Sequence, residues 1–64
     1  MKLTEKQKLV LEAFDELQDL ILEIEAENED LEFTSNVLVC ARMDIIGART
    51  RMVELFHRGV VRLP

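Results

Sequence analysis

The sequence predicts an all-α fold: an antiparallel two-helix hairpin that assembles into a homo-oligomeric helical bundle. Three observations lead there. Apolar residues recur at three- and four-residue spacing in two long stretches, a charge-dense segment without that period separates them, and no strand pattern, internal repeat or low-complexity tract competes. To these is added a mismatch between size and composition. At 64 residues the chain is one domain, 1–64, and a chain this short buries only about 60% of its unfolded surface. Yet it is 48% hydrophobic, mostly aliphatic, with three Phe and neither Trp nor Tyr. It offers neither a disulfide pair nor a metal cluster as a staple, so further burial is expected between chains.

Helix 1 is expected over about 4–29. Thr4 followed by Gln7 fits a capping box, and Glu5 suits the positive end of the helix dipole. Leu9, Val10, Ala13, Phe14, Leu17, Leu20, Ile21 and Ile24 then share one face, while Glu12, Glu16, Asp19 and Glu23 line the other. Leu11 and Leu22 fall on a flank that a lone hairpin would leave wet, which makes them candidate intersubunit contacts. A turn at about 30–35 follows, because the dense negative charge through Glu32 is unfavourable near the negative end of a helix. Thr34 or Ser35 can cap a second helix over about 36–58, with Phe33 and Leu38 at hydrophobic-staple positions if Thr34 is the cap. Gly59 is a plausible terminating residue, and a short tail, 59–64, ends in Pro64.

In helix 2, Leu38, Ala41, Ile45, Ala48, Met52 and Leu55 form an alternating three- and four-residue seam. Val39, Met43, Ile46, Val53 and Val60 make a second apolar edge. One antiparallel partner cannot cover both, so Ala41, Ile45, Ala48 and Met52 join Leu11 and Leu22 as expected interface residues. A dimeric four-helix bundle or a larger ring satisfies the pattern.

The net charge of −5 hides a division. Residues 1–32 carry eleven Asp and Glu against three Lys, whereas residues 33–64 carry five Arg against Asp44 and Glu54. The two halves attract when packed together. Overall acidity counts against DNA binding, which relies on a positive field. Cys40, the single cysteine, points to a reducing cytoplasm and to a packing role rather than a nucleophilic one. Residues 1–6 lack a signal-peptide core, and no run approaches the roughly 18 to 20 apolar residues that span a bilayer. A soluble, cytoplasmic protein without membrane association is expected.

Catalytic chemistry is nearly absent. His57 lies seventeen residues from Cys40, roughly 25 Å along one helix, too far for a dyad within one subunit. A late-helix histidine suits the negative helix end, and a solvated acidic face accounts for the carboxylates without a metal. No enzyme activity, metal or cofactor is expected.

Arg42 and Arg49 are the exception that asks for an explanation. At roughly 100° per residue they fall inside the apolar arc of helix 2, between Leu38, Ile45, Met52 and Phe56 on one side and Val39, Ile46, Val53 and Val60 on the other. Guanidinium groups there need anions, either carboxylates of a neighbouring helix or phosphates of a ligand. Arg51, Arg58 and Arg62 project to nearly the opposite side, where a solvated face or pairing with Asp44 or Glu54 explains them. Arg42, Arg49, Thr50 and Arg51 are the candidate ligand-binding residues.

Ala48, Thr50, Arg51, Met52 and Glu54 resemble the A-x-T-[K/R]-[L/M]-x-E stretch in the second helix of phage anti-CBASS sponge proteins, which sequester cyclic oligonucleotide immune signals. The resemblance implies a phage anti-defence protein working in the host cytoplasm. It also implies an all-helical homo-oligomer, hexameric in known members, that binds a cyclic oligonucleotide between subunits without cleaving it. The aromatic-rich end of that family's second helix is represented here by Phe56 alone, so base stacking would fall to Phe14, Phe33, Phe56 or arginine planes. In length and layout the chain also resembles the small plasmid copy-control RNA-binding bundle. The alternative is therefore a small regulatory interaction module that binds a protein or structured RNA.

Overall fold

The computed structural model describes residues 2–59, which form two helices, α1 (Glu5–Glu27) and α2 (Glu32–Arg58), packed as an antiparallel hairpin 44 Å long. Helix α1 starts where its capping box dictates. The Thr4 hydroxyl accepts from the Gln7 amide at 3.2 Å, and the Gln7 side-chain oxygen accepts from the Thr4 amide at 2.9 Å. Gln7 is also buried, so one side chain both caps the helix and belongs to the packed seam of α1. At the other end of α1, Asn28 donates its side-chain amide to the Ile24 carbonyl at 2.8 Å, and its backbone amide bonds the Glu25 carbonyl. Those bonds satisfy carbonyls that the end of a helix leaves without partners.

The turn is shorter than expected and α2 starts earlier. Leu31 donates its amide to the Asn28 carbonyl and occupies the N-cap of α2 with φ −106° and no side-chain cap. Thr34 and Ser35, expected as caps, sit half-buried inside the first turn, and Phe33, expected as a staple, stands 81% exposed. The compact Asn28–Leu31 link and the favourable placement of Glu32 in the first turn let α2 begin without a hydroxyl cap. Gly59 ends α2 in the left-handed conformation, φ 69°, with its amide bonded to the Phe56 carbonyl. Residues 60–64 of the expected tail, including Val60 and Arg62, lie outside the described residues.

The face that α1 turns toward α2 takes in only one edge of its apolar stripe, Phe14 and Ile21. Leu3, Gln7, Leu11, Phe14, Gln18, Ile21, Glu25 and Asn28 are buried or half-buried, a seam at three- and four-residue spacing that mixes apolar and polar side chains. Leu11, expected on a wet flank, is 8% exposed within the hairpin, and Phe56 of α2 is completely buried. Leu9, Leu17, Leu20 and Ile24, expected at the hairpin core, are exposed, Leu20 by 55%. In this orientation Arg42 closes on Glu25 and Arg49 on Asp15, and α1 stands about a quarter turn, about 90° on the wheel, from the position that would bury the whole stripe.

Candidate functional site

The arginines singled out by their apolar setting both find carboxylates of α1. Arg42 donates from Nε to Glu25 Oε2 at 2.6 Å and from Nη2 to Glu25 Oε1 at 3.4 Å, a two-pronged contact with side chains only 23% and 14% exposed. The hydrogen bond that Arg42 donates to Glu25 raises the Arg42 pKa above its ordinary value; the carboxylate charge acts the same way, while partial desolvation opposes it. Arg42 is therefore charged at any physiological pH. Its position has a second consequence. The last turn of α1 contains no basic residue, and Arg42 supplies positive charge there from the neighbouring helix.

Arg49 makes a looser contact. Its Nε donates to Asp15 Oδ1 at 2.8 Å, with side chains 35% and 57% exposed. Together the two pairs set the antiparallel register, with Glu25 level with Arg42 near the turn and Asp15 level with Arg49 towards the open end. Glu25 and Asp15 were not singled out by sequence reasoning. Glu25 carries one available signal: it continues the spacing of Leu11, Phe14, Gln18 and Ile21 and so lies off the acidic face. Asp15 carries none.

The other candidate ligand residues do not converge with these two. Thr50 is exposed and donates its hydroxyl to the Ile46 carbonyl at 3.1 Å, a local bond within α2. Arg51 is exposed and lies back over Gly47, whose added Cβ would stand 4.0 Å from Arg51 Nη2. Among the described residues Arg51 has no carboxylate partner within 4 Å, while Arg58 pairs with Glu54 at 2.8 Å along the same helix. Of the segment Ala48 to Glu54, Ala48 and Met52 are half-buried, and Thr50, Arg51 and Glu54 are exposed. Cys40, expected to pack, is exposed, as is His57.

The residues expected at an interface divide. Leu22 and Ala41 are exposed; Ile45, Ala48 and Met52 are half-buried; Leu11 is inside the hairpin. An open groove of about 270 Å³ runs along α1, lined by Val10, Ala13, Phe14 and Leu17 with almost no polar surface. No group of three or more His, Cys, Asp or Glu side chains that could hold a metal ion occurs among the described residues. No helix among them is long and apolar enough to cross a membrane.

A scan of protein-family models, a search of curated proteins and a search of solved structures each return no match for this chain.

Proposed function

We propose that this chain is a small, non-enzymatic interaction module that works as a homo-oligomer, with the uncovered face of α1 as its protein-docking surface. The observation that carries this reading is the division of labour between charge and apolar surface. Arg42 and Arg49 have their anions within the hairpin, whereas Leu9, Leu17, Leu20 and Ile24 have no cover. Sedimentation equilibrium at micromolar concentration tests the reading. Masses above one chain are expected, and a cooperatively melting monomer overturns it.

A second reading, sequestration of a cyclic oligonucleotide at subunit interfaces, keeps one observation in its favour. Arg51 stands exposed beside Thr50, in the segment that resembles the sponge family, without a carboxylate among the described residues. On this reading phosphates lie against Arg51 and Thr50, and Arg49 exchanges Asp15 for the ligand. Calorimetry with a panel of cyclic di- and trinucleotides decides it. Binding without consumption is expected, weakened tenfold or more by Arg51→Ala or Thr50→Ala through loss of a charge-assisted contact. A panel that gives no heat and no thermal shift removes this reading and leaves the interaction module standing.

A further inference from the structure

Resting on the homo-oligomer reading above, we infer that the docking partner of the uncovered α1 face is a second copy of this chain, related by a two-fold axis parallel to the helices, so that each α1 lies on the partner's α2. The argument begins with α1, which carries two seams of heptad spacing set about 90° apart. The seam facing α2 is mixed in polarity, as described. The other, Val10, Ala13, Leu17, Leu20 and Ile24, is wholly apolar, and its three leading members, Leu17, Leu20 and Ile24, are exposed.

Handedness then locates the rest of the surface. Viewed down α1 from its N-terminus, residue numbers advance clockwise, and because α2 runs the other way its numbers advance anticlockwise in the same view. The reversal brings the α1 seam and the α2 flank of Val37, Ala41, Ala48 and Leu55 to one side of the hairpin. The Arg49 to Asp15 pair and Leu22 fall on the other side. The result is a largely apolar face two helices wide, with the exposed Asp44 at its α2 margin, of the kind that buries itself against another such face in a four-helix bundle. The alanines let backbones approach closely.

Charge selects between the two ways of stacking identical faces. With the two-fold axis perpendicular to the helices, each α1 lies on the other α1, and Glu12, Glu16, Asp19 and Glu23, all exposed along its outer edge, meet themselves. With the axis parallel to the helices, that acidic edge meets the outer edge of α2, which is balanced in charge rather than acidic: Arg58 is paired with Glu54 there, and Arg51 stands exposed near Asp44. The two copies then stand at the same height, and the register of the hairpin carries across the interface. Arg51 follows Arg49 by two residues, and Asp15 is level with Arg49, so the partner's Glu12 and the partner's Glu16 flank the level of Arg51. Every neighbouring pair of helices is antiparallel in this arrangement, which also opposes their dipoles favourably.

Two measurements test the face and the axis separately. Leu20→Glu places a charge in the proposed interface without disturbing the hairpin, where Leu20 is already 55% exposed. Sedimentation equilibrium should show the unaltered chain as two-chain particles. Leu20→Glu should weaken association on the order of a hundredfold, and Leu22→Glu, similarly exposed on the opposite side, should leave it unchanged. Circular dichroism on Leu20→Glu, at a concentration where it is monomeric, should retain the helical spectrum. For the axis, a nitroxide at Asp30→Cys in a Cys40→Ser background marks the turn. Parallel copies put the two labels about 20 Å apart, from helix spacings of 8 to 10 Å; the perpendicular axis puts them near opposite ends of a body 44 Å long. Dissociation by Leu22→Glu but not by Leu20→Glu overturns the face. A label separation near 40 Å overturns the axis. An unaltered chain that sediments as a monomer overturns the homo-oligomer reading itself.

Discussion

The two ends of the hairpin are held together by different physics. At the open end Phe56 is fully buried and Leu11 nearly so, and Gln7, which closes the capping box, is buried as well. At the turn end no apolar side chain reaches that burial; Leu31, Phe33 and Val37 are at least half exposed, and the tight contact is the ion pair of Arg42 with Glu25. The open end is thus an apolar core, and the turn end is a charge clamp next to a four-residue link. A helix end with Glu25, Glu27, Glu29 and Asp30 crowded near its negative pole needs a cation more than it needs another leucine.

The largest predicted effect breaks the open end. Phe56→Ala should destabilise the fold by about 3 to 5 kcal/mol, the range for deleting a buried aromatic ring, and Leu11→Ala by about 2 to 4 kcal/mol. Urea denaturation followed by circular dichroism measures both, at one fixed protein concentration because the proposed association would contribute to apparent stability. A loss below 1 kcal/mol for Phe56→Ala would mean that the open end is not the core.

The charge clamp is tested by comparing the two arginines. Arg49→Gln removes a half-exposed pair and should cost less than about 1 kcal/mol, an effect that salt screens away. Arg42→Gln should cost more than Arg49→Gln, because it leaves Glu25 largely enclosed without its counter-charge and strips the end of α1 of its only nearby cation. Amide hydrogen exchange should show the difference in place, with faster exchange at residues 24–31 in Arg42→Gln and little change there in Arg49→Gln. Equal losses in the two variants, both abolished by salt, would reduce the clamp to an ordinary surface pair.

Much of this was legible in the sequence, and the remainder was hidden for a definable reason. Thr4 with Gln7 marked the start of α1, and Gly59 marked the end of α2, because caps are local chemistry that three or four residues specify. The need of Arg42 and Arg49 for anions was legible from their apolar setting. Which carboxylates would answer was not, since Glu25 and Asp15 are recognisable only once the register is known. The larger divergence concerns the stripe of α1. Periodicity reports that Leu17, Leu20 and Ile24 share one apolar face, but it does not say whether that face turns toward the second helix of the same chain. In this hairpin a seam of mixed polarity turns inward, and the strongest apolar period stays exposed. Thr34 and Ser35 show the converse: residues suited to capping do not cap when a shorter link already starts the helix.

The smallest predicted effect sharpens the contrast at the two helix starts. Helix α1 begins with a complete capping box, whereas α2 begins at Leu31 without any side-chain cap. Thr4→Ala should therefore cost about 1 kcal/mol, the usual penalty for losing an N-cap hydroxyl. Leu31 occupies an extended N-cap geometry, φ −106° and ψ 89°, and is half exposed. A serine there could accept from the Thr34 amide three residues on. Leu31→Ser should gain a few tenths of a kcal/mol, up to about 1, and slow amide exchange in the first turn of α2. If Leu31→Ser instead destabilises the protein while Thr4→Ala behaves as expected, the Leu31 side chain is contributing burial in the assembled state. That result would extend the intersubunit surface to the turn and narrow the difference between the two ends.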